Sequence, residues 1–261
     1  MTVTVTPAVE AAAGGLPPRV RLNIAATGGL ASVTVTRLDP DGRIYPVRTA
    51  TGDPLPMTGG AGLLYDYEAP FGQAVFYSSL EDTATVTGSV TVSETRVWLV
   101  HPGVPALSTP IELGVGSASE EEWSVQQGVF WAMGRETPLV FTDGGRKAPS
   151  SSLSVLTDTA TDFQALKSIL SDASPLLLNV PTTLGLGLDT DYISIGAVHP
   201  RRPSDIGTDT LRVLELPYMV VNRPAGGSQA TRTWTDVKIT YNTWTDVKAA
   251  YPTWFALLTG P

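Results

Sequence analysis

The sequence predicts a mainly β protein: a β-sandwich, then a second β-rich domain with one helix, then a short helical arm. Three observations predict it. Between residues 17 and 98 apolar residues alternate with period two, and turn residues recur about every ten positions, the pattern of a sandwich. After residue 98 the apolar runs lengthen and one helical pattern interrupts them. The last thirty or so residues repeat one decapeptide. The 25 Gly and 21 Pro lie scattered between short apolar runs instead of forming a low-complexity tract, which calls for many turns and many strands.

The N-terminal segment, 1–16, opens Met1-Thr2-Val3-Thr4-Val5-Thr6-Pro7 and alternates like a strand. It lacks the basic and continuous apolar regions of a signal peptide. The sandwich, 17–98, reads as Val20/Leu22/Ile24, Val33/Val35, Tyr45/Val47, Leu63/Tyr65/Tyr67, Val75/Tyr77 and Val86 through Val92. Asp39-Pro40-Asp41-Gly42 supplies a proline-set φ and a glycine for positive φ, and Ala69-Pro70-Phe71-Gly72 punctuates the approach to Val75. The passage Asp66-Tyr67-Glu68-Ala69-Pro70 into Val75-Phe76-Tyr77 resembles the strand E to strand F crossing of fibronectin type III or immunoglobulin-like domains. No Cys pair supports the latter.

The second domain, 99–225, begins after Pro102 and Pro105 break the chain. Trp123 through Trp131, Pro138 to Phe141 and Leu153 to Leu156 read as strands. Thr159-Ala160-Thr161-Asp162 is a helix start, and Phe163, Leu166 and Leu170 follow on one face, giving a helix over about 160–172 that Pro175 ends. Leu176 to Val180, Tyr192 to Val198 and Leu211 to Leu216 return to strand. Pro224-Ala225-Gly226-Gly227-Ser228-Gln229 reads as a loose linker, since Gly-Gly-Ser carries few packing atoms.

The arm, 226–261, repeats Thr-Trp-Thr-Asp-Val-Lys from Thr233 and Thr243, with a truncated copy from Thr253. In each full copy the Thr hydroxyl is placed to accept an orphan backbone N–H, and the Asp favours the positive end of a short helix. Trp234, Val237 and Tyr241 fall at i, i+3 and i+7, as do Trp244, Val247 and Tyr251, and Trp254 opens the third copy. So short a segment cannot bury these aromatics within itself and needs another surface, either the body of its own chain or a neighbouring subunit. The seven residues are the candidate partner-docking site.

A charged share of 16%, against the roughly 25% of a typical soluble domain, leaves a lightly charged surface suited to a large assembly. Net charge −8 disfavours nucleic acid, which needs a basic patch. No apolar run approaches the ~20 residues of a bilayer-spanning helix, so no membrane insertion is expected. Zero Cys excludes disulfides and thiolate metal sites and fits a reducing cytoplasm.

Catalytic and metal chemistry find no anchor. His101 and His199 each precede a Pro, without a second ligand at metal spacing, and read as surface or turn residues. Asp189-Thr190-Asp191 and Asp39-Pro40-Asp41-Gly42 stop short of a calcium loop and read as turns. Glu120-Glu121-Glu122 reads as a solvated loop, not a glycosidase pair. Gly59-Gly60-Ala61-Gly62 and Gly185-Leu186-Gly187 lack the ending of a phosphate loop. The expectation is no enzyme, no cofactor and no metal.

Gly134 through Asp143, Leu153 through Asp158, Ala165-Leu166, Pro175 through Leu178 and Tyr192 through Gly196 together resemble minor tail proteins of siphophages infecting actinobacteria. The Trp-x-Asp-Val decapeptides resemble the C-terminal repeats of such proteins. The central pattern is similar to the belt domain of distal tail proteins, a β-sandwich with one helix that builds a ring at the end of the tail tube. The resemblance implies a structural protein of a long non-contractile tail, assembled in the host cytoplasm and resident in the virion tail. It implies a ring of identical copies, a hexamer, joining the tail tube to the baseplate and host-recognition apparatus, with tube and tail-tip proteins as neighbours. The alternative is a carbohydrate-binding module presenting Trp and Tyr to host-envelope glycans.

Overall fold

The computed structural model describes residues 2–50, 52, 54–82, 86–142, 144–203, 209–227 and 243–250. The protein is mainly β, as expected. The first nine strands are β1 (Val3–Glu10), β2 (Arg19–Ala26), β3 (Ser32–Val33), β4 (Val35–Leu38), β5 (Ile44–Pro46), β6 (Leu55–Pro56), β7 (Ala61–Asp66), β8 (Ala74–Ser79) and β9 (Val90–Thr91). They form a three-stranded sheet, β1-β2-β7, and a four-stranded sheet, β5-β4-β8-β9, with β3 and β6 as a separate pair. Alternation sets the faces: in β1, Val3 and Val5 are buried while Thr4 and Thr6 face water. The N-terminal strand thus lies within the sandwich, paired along its whole length with β2. The core between the sheets holds Leu22, Ile24, Val35, Phe71, Val75 and Tyr77.

The remaining elements are β10 (Val97–Val100), β11 (Thr109–Leu113), β12 (Gln127–Phe130), β13 (Leu139–Thr142), β14 (Ser150–Thr157), α1 (Ala160–Ile169), β15 (Leu176–Asn179), β16 (Asp191–Ile195), β17 (His199–Arg201), β18 (Arg212–Val220) and α2 (Trp244–Ala250). The order β14-β11-β10-β15-β16-β18, with β14 also paired to β18, closes six antiparallel strands into a barrel. β16 and β17 follow one another along the same edge of β18. Closure leaves the barrel strands no free edge. The central domain therefore does not offer exposed barrel edges to a neighbour. Leu99, Leu153, Val155, Leu178, Ile193 and Leu216 fill the interior, joined by Leu166 and Ile169 of α1. Thr159 caps α1 as its sequence predicts, accepting the Asp162 N–H at 3.1 Å.

Two junctions differ from expectation. The boundary drawn between 98 and 99 runs through β10, whose alternate residues serve different cores. Trp98 and Val100 pack into the sandwich core, and Val97 and Leu99 point into the barrel. The loose linker is also corrected: its described part, up to Gly227, is held against the sandwich. Arg48 donates to the Pro224 carbonyl at 2.7 Å and the Gly226 carbonyl at 2.6 Å. A Cβ on Gly227 would stand 2.4 Å from the Ala50 carbonyl oxygen. This glycine serves close backbone approach, not flexibility.

Candidate assembly surfaces

β12 and β13 form a hairpin that stands apart from both cores, with all eight of its strand residues exposed. Its stalk continues β14 beyond the barrel. Glu122 and Ser150 exchange backbone bonds, and the Lys147 N–H reaches the Ser124 carbonyl at 2.9 Å. Cross-strand pairs place Val129 opposite Val140 on one face, and Phe130 opposite Leu139 and Gly128 opposite Phe141 on the other. Both faces are therefore apolar. Phe130 is 58% exposed, Trp131 64% and Phe141 65%, and Trp123, Met133, Leu139 and Val140 are exposed as well. An isolated two-stranded hairpin is marginal in water, and soluble monomers seldom expose so many large apolar side chains on one projecting element. Such a surface is built to be covered.

The sequence carried a signal for it. Val129-Phe130-Trp131 and Leu139-Val140-Phe141 are runs of three apolar residues, which suit a strand buried on both faces, not the half-buried strands of a monomer. Reading them only as strands concealed their exposure.

Of the seven residues expected to dock a partner, Trp244 and Val247 are described, on α2. Trp234, Val237, Tyr241, Tyr251 and Trp254 lie outside the described residues. Thr243 and Asp246 form the reciprocal cap that the repeat predicts. The Asp246 N–H donates to Thr243 Oγ1 at 3.3 Å, and the Thr243 N–H to Asp246 Oδ2 at 3.0 Å. Trp244 is 54% exposed and Val247 5%, so the two ends of the described stripe have different surroundings.

Between sandwich and barrel lies a cleft of about 1080 Å³ whose walls include Asp39, Asp41, Tyr45, Asp189, Asp191 and Tyr192. The fold thus brings together two acidic turns that are 150 residues apart in the chain, counting from Asp39 to Asp189. Asp39 is committed: the Arg37 Nε donates to it at 2.6 Å, while Arg37 Nη1 reaches both oxygens of Asp66. Burial, then Asp189, raises the Asp191 carboxyl above its ordinary range. On the cleft floor Glu68 accepts from Arg48 at 2.9 Å and from Arg223, and Arg223 also donates to the Tyr192 hydroxyl. Burial opposes the charge of Arg223, and Glu68 and Tyr192 together outweigh it, raising the guanidinium. One buried carboxylate thus ties two guanidiniums together. Among the described residues no cluster of three or more His, Asp or Glu is placed to hold a metal.

The two histidines part company. His199 is exposed on β17. His101, expected as a surface or turn residue, does follow the end of β10 but is buried, and its Nε2 lies 2.8 Å from Asp172 Oδ2. Its Nδ1 faces the N–H groups of Gly103 and Val104 at 3.2 and 2.9 Å, so Nδ1 is the acceptor and the proton sits on Nε2. The residue ties the end of β10 to the turn after α1.

No protein-family model matches the chain, and no curated protein matches it.

Proposed function

We propose that this chain is a structural protein of a long non-contractile phage tail, a ring-forming subunit of the tail tip that joins the tail tube to the host-recognition apparatus. The observation that carries the assembly reading is the β12–β13 hairpin, whose two apolar faces are left to water by a single chain. The capped α2 repeat and the closed barrel with one helix agree with a subunit that docks through projections and not through barrel edges. The tail assignment itself rests on the resemblance carried by residues 134–143, 153–158, 165–166, 175–178, 192–196 and the Trp repeats.

A glycan-binding module would present flat aromatic faces beside polar side chains. The exposed strand residues of the hairpin include Val129, Phe130, Leu139, Val140 and Phe141, an aliphatic and aromatic set that favours protein contact.

The test is the double variant Phe130→Ser, Phe141→Ser. Both side chains are exposed, so chain stability should change by less than about 0.5 kcal/mol, whereas loss of interface anchors should weaken association by at least about 2 kcal/mol, roughly thirtyfold. Sedimentation velocity of purified chain reads the association, and chemical denaturation the stability. A native chain that stays monomeric at high concentration, or a variant that associates unchanged, defeats the reading. Mass spectrometry of purified virions tests the tail assignment separately.

A further inference from the structure

Residues 224–227, which precede the C-terminal repeats in the chain, are held in a built anchor. Arg48 uses its three nitrogens for three different partners: Nε to Glu68 at 2.9 Å, Nη2 to the Pro224 carbonyl at 2.7 Å and Nη1 to the Gly226 carbonyl at 2.6 Å. Glu68, 3% exposed, holds Arg48 with one oxygen and Arg223 with the other. Gly227 then presses on the backbone of Ala50 and Gly52, where a Cβ has no room. Arg19 and Arg37 also meet carboxylates and tyrosines within the sandwich, but Arg48 is the guanidinium that clamps main-chain carbonyls of the segment leading to the arm. Three fixed donors matched to three acceptors are a property of a planar guanidinium and not of an ammonium.

We infer that Arg48 is a positioning residue for the C-terminal arm. Through Glu68, Arg223 and the close seat of Gly227 it fixes residues 224–227, the segment that leads to the Trp repeats, against the sandwich. A fixed departure point confines the arm to fewer directions, which raises its effective concentration at a docking surface on a second copy of the chain. This rests on the assembly reading above, and adds that the geometry of departure contributes to association apart from the arm's own contacts.

The absence of Cys allows clean labelling. Spin labels at Thr4→Cys on β1 and Ala225→Cys, both exposed positions, report the distance between sandwich and departure segment in full-length chain diluted with unlabelled protein. A narrow distance distribution is expected for the native background. Arg48→Met should broaden it and Arg48→Lys should broaden it partly. Gly227→Val, which keeps every charge, should also displace or broaden it. In unlabelled full-length chain the same three substitutions should raise the dissociation concentration, Arg48→Met by on the order of tenfold. Circular dichroism should be unchanged. A broad native distribution, or one that Arg48→Met leaves narrow, overturns the anchor. A distribution that broadens while association holds overturns the positioning role, yet leaves the assembly reading to stand on the hairpin variant.

Discussion

Asp66 gathers three partners. It is 2% exposed, takes both oxygens to Arg37 Nη1 at 3.1 and 2.9 Å, accepts the Tyr77 hydroxyl at 3.0 Å and accepts the Glu68 N–H at 2.9 Å, while Arg37 turns its other edge to Asp39. Burial, then the Asp66 charge, holds the Tyr77 phenol well above its usual range. Removing Asp66 would strand Arg37 with one partner instead of two, so Asp66→Ala should cost about 3 kcal/mol, and Tyr77→Phe about 1 kcal/mol, in urea denaturation. None of this was legible in the sequence. Asp39 read as a turn residue, and it is one, since the Gly42 N–H bonds its carbonyl at 2.9 Å, but its carboxylate has a second task that only tertiary structure assigns.

His101 and Asp172 offer a pH test. The Ser174 backbone N–H, then His101, lowers the Asp172 carboxyl below its ordinary value. A carboxylate depressed on folding stabilises the fold above its unfolded pKa, and that contribution disappears as pH falls through the folded value. Asp172 is 42% exposed, so the effect is small and screened by salt. Asp172→Asn should be less stable than the native chain near about pH 6, and the gap should close as pH drops below the ordinary aspartate range. A gap that widens in acid would mean the pair is not what holds this turn.

At the scale of elements, what was local was readable. The start of α1 followed from Thr159-x-x-Asp162 and the spacing of Phe163, Leu166 and Leu170, because caps and periodicity act within a few residues. The Thr159 hydroxyl also donates to Asp162 at 2.6 Å, so the cap is reciprocal. Thr159→Ala should cost about 1 kcal/mol, which for a chain of this size lowers Tm by about 2–4 °C. No change in Tm would show that α1 is held by Leu166 and Ile169 alone. What was not local stayed hidden. β17 is three exposed residues with no apolar pattern, β11 alternates but carries Pro110, and barrel closure depends on β14 meeting β18 across more than fifty residues. The hairpin's strands were readable, but not their exposure, since consecutive apolar residues look the same whether a core or another molecule is to cover them.

For the whole molecule, the division into separate domains meets a shared wall. β10 and β15 belong to the barrel by hydrogen bonding, yet Trp98, Val100 and Leu177 complete the sandwich core on their outer side. Asn179 of β15, fully buried, donates to the Ala69 carbonyl at 2.9 Å and accepts the Phe71 N–H at 3.1 Å, pairing the polar backbone of the sandwich's 69–71 loop. A fragment of residues 1–96 would keep the sandwich strands but lose Trp98, Val100, Leu177 and Asn179. It would open Phe71 to water and leave two buried backbone groups without partners. Each large apolar side chain is worth about 1.5–3 kcal/mol and each stranded polar group about 1–3 kcal/mol, against a total of about 5–15 kcal/mol for a typical domain. The fragment should therefore fail to unfold cooperatively, and the full chain should give one calorimetric transition for sandwich and barrel together. Two well-separated transitions, or a 1–96 fragment with a sharp melt of its own, would show that the sandwich needs no wall from the barrel.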